Sequence, residues 1–223
     1  MLSTVIVGIL IGSSAPWWWR VLFPQRAESV VAPAACPVDA IKDQLLGANG
    51  DASVFIESDA RAMRELLRDG NIDCVEAIAG VLLRVDANNG SGLYFAGEVW
   101  RVRAKREPAK AVAWRERMRE HFWRYVDAEK TLPSAQRDGK SEACYRRAKG
   151  FCAERTAWVS HLMAIDYLQQ ADEAGNVSAR AEFLRRAADF VGTDVAYGGF
   201  DQVVPTVELQ RRIDVRLRTG TAR

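Results

Sequence analysis

Two histidines and four cysteines are the residues best equipped for chemistry in this chain, and their spacing decides what chemistry is open to them. His121 follows Glu120 directly, and His161 precedes Asp166 by five residues. Neither forms an H-E-x-x-H helix face, so the spacing selects no metal. Cys144 and His161 are a thiol and a base of the kind that nucleophilic catalysis uses. They stand seventeen residues apart in one helical stretch, about 25 Å if that stretch is unbroken. A catalytic pair therefore needs a break near Gly150. The cysteines at 36, 74, 144 and 152 contain no C-x-x-C pair, which points away from a redox motif or zinc site.

An even number of cysteines fits two disulfides in an oxidising compartment, but buried free thiols are the simpler expectation at this frequency. Cys144 and Cys152 can bridge only if the chain turns at Lys149-Gly150, because eight helical residues separate them by about 12 Å. A Cys36–Cys74 bridge is equally open. Gly90-Ser91-Gly92 lacks the following Gly-Lys-Ser/Thr of a phosphate loop, and no strand precedes it. No catalytic, cofactor or metal site is expected, and neither is a small-molecule substrate.

The chain has 223 residues, 48% hydrophobic and 27% charged, with 31 basic and 29 acidic side chains. A net charge of +2 argues against a dedicated nucleic-acid binder, which presents a one-signed face. The basic excess is local, with five arginines between Glu208 and Arg223.

Residues 1–23 read as an uncleaved, single-pass transmembrane anchor. Leu2 to Trp19 holds no charge, and eighteen helical residues span about 27 Å, close to a bilayer core. Trp17, Trp18 and Trp19 stand where indole rings settle at the interface, and Arg20 then reaches water. A cleaved signal peptide fits less well, since no Lys or Arg opens the segment and tryptophans replace the small residues of a cleavage site. A lipoprotein signal at Ala34-Ala35-Cys36 lies too far beyond the apolar run. The bilayer is therefore an expected partner. Arg20 and Arg26 against Glu28 give a weak lean to a cytoplasm-facing domain; a periplasmic or extracellular face stays open.

Residues 24–53 read as a linker, proline-rich at first and ending in the loop GANGDAS. From 54 to 192 the pattern is helical. Ser58 or Asp59 starts a helix that ends at Asp69-Gly70-Asn71. Ile72 to Val85 presents Val75, Ile78, Ala79, Leu82 and Leu83 on one face. A third helix carries Leu93, Ala96, Gly97 and Trp100. A fourth starts near Glu107-Pro108 and presents Ala111, Trp114, Met118, Phe122 and Tyr125. After a polar break over 131–141, helices are expected over 142–174 and 178–191, joined at Gly175-Asn176. Residues 193–223 read as an irregular basic tail, where Ile213, Val215 and Leu217 alternate as in one short strand. The fold class is all-α.

Residues 70–109 resemble the tetratricopeptide repeat. Gly70, a helix and the turn Asp86-Ala87-Asn88-Asn89 are similar to the second half of one unit. Leu93, Ala96, Gly97 and Trp100 fall at the spacing of the next unit's first helix, and Ala109 sits where its second helix takes a small residue. Ala87 in place of proline and Glu116 in a small-residue position make the repeat degenerate. The resemblance extends over 56–113 and, through Gly175, Leu184 and Ala187, more loosely over 153–191. It implies a short solenoid of antiparallel helix pairs and a non-enzymatic role in binding a protein partner. Arg101, Arg103 and Trp123 are the candidate contact residues, Trp123 because it projects away from the Trp114–Phe122 stripe. The rival expectation is a membrane-associated effector or enzyme with a site around Cys144, Cys152 and His161.

Overall fold

The computed structural model describes residues 36–47, 57–132, 152–199 and 204–220. The chain divides into Met1–Ala34 and Ala35–Arg223, and every described residue belongs to the second unit. The expected anchor, with Trp17, Trp18, Trp19 and Arg20, lies outside the described residues. Among the described residues, no helix is long and apolar enough to cross a membrane.

The described chain is all-helical: α1 Val38–Gly47, α2 Glu57–Arg68, α3 Ile72–Val85, α4 Gly90–Arg106, α5 Ala111–Lys130, α6 Ala153–Glu173, α7 Val177–Ala196 and α8 Thr206–Gly220. A 3-10 turn, Pro108–Lys110, joins α4 to α5. Local chemistry places these boundaries. Gly70 adopts φ +90°, which L side chains avoid. The Asn71 amide donates to the Leu66 carbonyl and the Gly70 amide to that of Leu67, closing α2 with a Schellman motif. Asn89 caps α4 by accepting from the Gly92 amide at 2.8 Å, and Asn176 caps α7 by accepting from that of Ala179.

Successive helices pack as neighbours in two runs, α3–α4–α5 and α6–α7–α8, and α5 packs on α6. One core runs through both. It includes Ile78 and Leu82 from α3, Phe95 from α4, Phe122 from α5, Met163 from α6 and Phe190 from α7. The tightest approach is α4 on α5: a Cβ added at Gly97 would overlap the Phe122 ring. Gly97 thus allows close approach, the role its place in the sequence suggested.

Three expectations change. The span read as a linker contains α1, whose Ile41 and Leu45 are buried. The tail is not irregular between 206 and 220, and Ile213, Val215 and Leu217 lie on a helix instead of a strand. Leu209 and Ile213, four residues apart, are the buried pair, while Val215 is exposed. Glu208 stabilises the first turn of α8 by accepting from Arg211 and Arg212, and these bonds hold its carboxyl down at about 2.

The third change concerns the thiols. Cys36 and Cys74 are joined in a disulfide that fixes α1 to α3. Cys152 is disulfide-bonded too, and no described cysteine is free. The expected free thiols are therefore not found, and Cys144 lies outside the described residues.

Two predictions follow from this packing. Gly97→Ala should destabilise the domain by about 2 kcal/mol through overpacking, whereas Gly80→Ala, where a Cβ meets only the end of Arg84, should stabilise it by up to about 1 kcal/mol. Equal shifts in urea midpoint would contradict that packing. Replacing Cys36 and Cys74 together by serine opens a loop of sequence separation 38 and should cost about 4 kcal/mol, read in the same melts without reductant.

Candidate functional site

A cleft of about 360 Å³ lies along the seam where α4, α5 and α6 meet. Its floor is apolar: Ala104 from α4, Ala111 and Met118 from α5, and Trp158, Leu162 and Ile165 from α6. The α6 residues recur at helical spacing, so they form one stripe. Trp158, Leu162 and Ile165 are each only partly buried. Arg101, Lys105 and Arg115 also line the cleft, with Asp166 and Gln169 on the α6 side.

The walls are held by charge-assisted bonds. Glu98, 5% exposed, accepts from Arg101 Nε and Nη2, the latter at 2.6 Å, and from Trp158 Nε1 at 3.1 Å. One carboxylate therefore locks a side chain of its own helix and ties α4 to α6. Burial is the largest single influence and disfavours the Arg101 charge, but the hydrogen bond and the Coulombic attraction to Glu98 together outweigh it and raise the pKa. The guanidinium also lies over the Trp158 ring, 5.7 Å from its centre. Asp166 is occupied in the same way, accepting from Arg119 Nη1 at 2.9 Å and from Gln170 Nε2 at 2.8 Å. Lys105 and Arg115 differ. Neither has an ion pair or hydrogen bond among the described residues.

Of the three candidate contact residues, only Arg101 lines this cleft. Arg103 points to α3, where it donates to Glu76 at 2.6 Å and Asp73 at 2.8 Å while stacking on Trp100. That makes it an internal tie. Trp123 is 43% exposed and sets its edge on Phe190 of α7, with centroids 5.8 Å apart. It stands apart from the other two. Trp158, Leu162, Ile165, Lys105 and Arg115 were missed. The 158–162–165 spacing is a legible stripe, but on a long helix buried on most sides it is indistinguishable from core.

The rival site does not assemble among the described residues. Cys152 caps α6, its sulfur accepting from the Arg155 amide, and a bridged sulfur supplies no thiolate. His161 is nine residues further, about 13 Å along the helix. It is fully buried, with Nδ1 2.8 Å from Asp194 Oδ2, and Thr206 donates to that oxygen at 2.9 Å. This cluster joins α6, α7 and the start of α8. Among the described residues, no group of three His, Cys, Asp or Glu side chains is placed to hold a metal. No protein-family model, curated protein or solved structure matches the chain.

Glu98→Ala should lower stability by about 3 kcal/mol, because it strands a part-buried guanidinium and an indole N–H. Glu98→Ala with Arg101→Met should cost less than Glu98→Ala alone, since the stranded charge is gone. A double variant that loses the sum of both single costs would show that the pair is not coupled.

Proposed function

We propose that this protein is a membrane-anchored, tetratricopeptide-like scaffold whose cleft between α4, α5 and α6 docks a protein partner, with the helical domain on the oxidising side of the membrane. The observation that carries this reading is the partly buried stripe Trp158–Leu162–Ile165 on a cleft floor. A domain gains nothing in stability by leaving such a stripe partly wet, whereas a docking surface requires it. The succession of helix pairs α2–α3, α4–α5 and α6–α7 supports the repeat-like part of the reading. So does the Gly97–Phe122 contact within the second pair. The anchor rests on the uncharged run from Leu2 to Trp19 and its three closing tryptophans.

The sulfur chemistry supports the oxidising side of the membrane. The bias of Arg20 and Arg26 over Glu28 favours the cytoplasm, but disulfides do not persist in that compartment. Cys36–Cys74 and the bridged Cys152 outweigh two arginines.

Both parts can be tested in cells making the full chain. A membrane-impermeant maleimide should label the protein only after an impermeant reductant has been added outside. Labelling that needs permeabilisation and no reductant would reverse the orientation. A photo-crosslinking amino acid at Lys105 should give a discrete adduct with another protein, and the same group at Val207, exposed on α8, should not. Absence of the Lys105 adduct, or the same adduct from both positions, overturns the docking role.

A further inference from the structure

We propose that the occupant of the α4/α5/α6 cleft is an acidic amphipathic helix of a partner protein. This rests on the docking role just described and names what docks.

The walls explain why a helix fits and an extended strand does not. All three elements bordering the cleft are helices, whose backbone N–H and C=O groups are consumed internally apart from the ends. A strand laid along them finds no backbone partners, whereas a helix arrives with its own satisfied. The size agrees. Trp158 to Gln169, both on the cleft, covers twelve residues of α6, about 16 Å or three helical turns. A partner helix of that length places apolar side chains at i, i+4 and i+7 against Trp158, Leu162 and Ile165, ridges into grooves.

Charge selects the class of helix. The carboxylate on the cleft, Asp166, is paired with Arg119, and Glu98 behind its wall is paired with Arg101. Lys105 and Arg115 form no ion pair among the described residues. They stand on the α4 and α5 walls beside the apolar floor, so a ligand meets two cations not engaged in an ion pair. Glutamates or aspartates flanking the apolar stripe pair with them, and lysines there are repelled. The chain's own N-terminal residues do not have this character: between Arg20 and Pro37 they hold Arg20, Arg26 and a single acid, Glu28.

The test uses the full chain in detergent micelles and two fluorescent, helix-stapled peptides of about twelve residues. Both carry leucine at i, i+4 and i+7; one has glutamates on the flanks and the other lysines. Anisotropy at low salt should show the glutamate peptide binding at least about tenfold more tightly. Lys105→Glu with Arg115→Glu should reverse that order. Leu162→Glu should abolish binding of both peptides while circular dichroism remains that of the unaltered chain. Equal affinities, an unreversed order in the charge variant, or no binding of the glutamate peptide overturn the acidic helix. If the Lys105 adduct still forms in cells, the docking role survives that failure; if it does not, both fall. An adduct at twice the chain's own mass would make the occupant a second copy and overturn this inference in that way.

Discussion

The seam between the two helical runs depends on one buried carboxylate. Glu98 carries a charge that is almost fully removed from water, which is tolerable only if strong donors surround it. It takes a forked guanidinium from its own helix and an indole N–H from α6. The first bond fixes the Arg101 rotamer on the wall of the cleft, and the second sets the distance at which α6 can stand from α4. The neighbouring contacts obey that spacing. Arg155 of α6 lies over Tyr94 and Phe95 of α4 and donates to Ser91. Its pKa is lowered because burial disfavours the cation. Burial also pushes the Tyr94 hydroxyl upward, with the Glu98 charge adding to the effect.

The same rule repeats about one turn further along α6. Asp194 is fully buried on α7 and gathers His161 from α6 and Thr206 from the first turn of α8. A carboxylate in that position needs donors from each element packed around it. The polar cluster gives α8 a fixed starting point, after which Leu209 and Ile213 complete the apolar contact. Stability from these bonds is modest, because each replaces a bond to water. Their larger effect is geometric: they admit one arrangement of α6, α7 and α8 and penalise the rest.

Much of the middle of the fold was legible because its signals are local. Apolar spacing found α3. Gly70, Asn89 and Asn176 marked ends through backbone conformations and caps that do not depend on distant residues. The C-terminal helix was misread for a specific reason. Ile213, Val215 and Leu217 alternate over five residues, too short a window to separate period 2 from period 3.6. The deciding residue was Leu209, four before Ile213, together with the Glu208–Arg212 spacing. The short α1 was hidden by the prolines around it, since its place is fixed by the distant Cys74 and no strong periodicity announces it. Disulfide pairing is not deducible from spacing. The cleft was the least legible part. Arg101 and Arg103 look alike in sequence, two residues apart on one helix, yet the helical rotation between them sends one to the cleft and the other to α3.

That divergence bears on what a binding surface is made from. An arginine already held by two carboxylates and a tryptophan face has little left to offer a ligand, because a new partner must first displace those bonds. Arg103 is such a residue, and Arg101 is partly so. Acids and bases at a seam are usually balanced by the folding of the seam itself, since unpaired buried charge is costly. Charges at its solvent edge escape that requirement, because water screens them. Lys105 and Arg115 occupy this edge, where an unmatched cation costs the fold almost nothing and keeps its full capacity for a partner. The cleft therefore divides its labour. In the proposed docking role Glu98 and Asp166 hold its walls, the α6 stripe supplies apolar area, and the two edge cations select the sign of charge admitted.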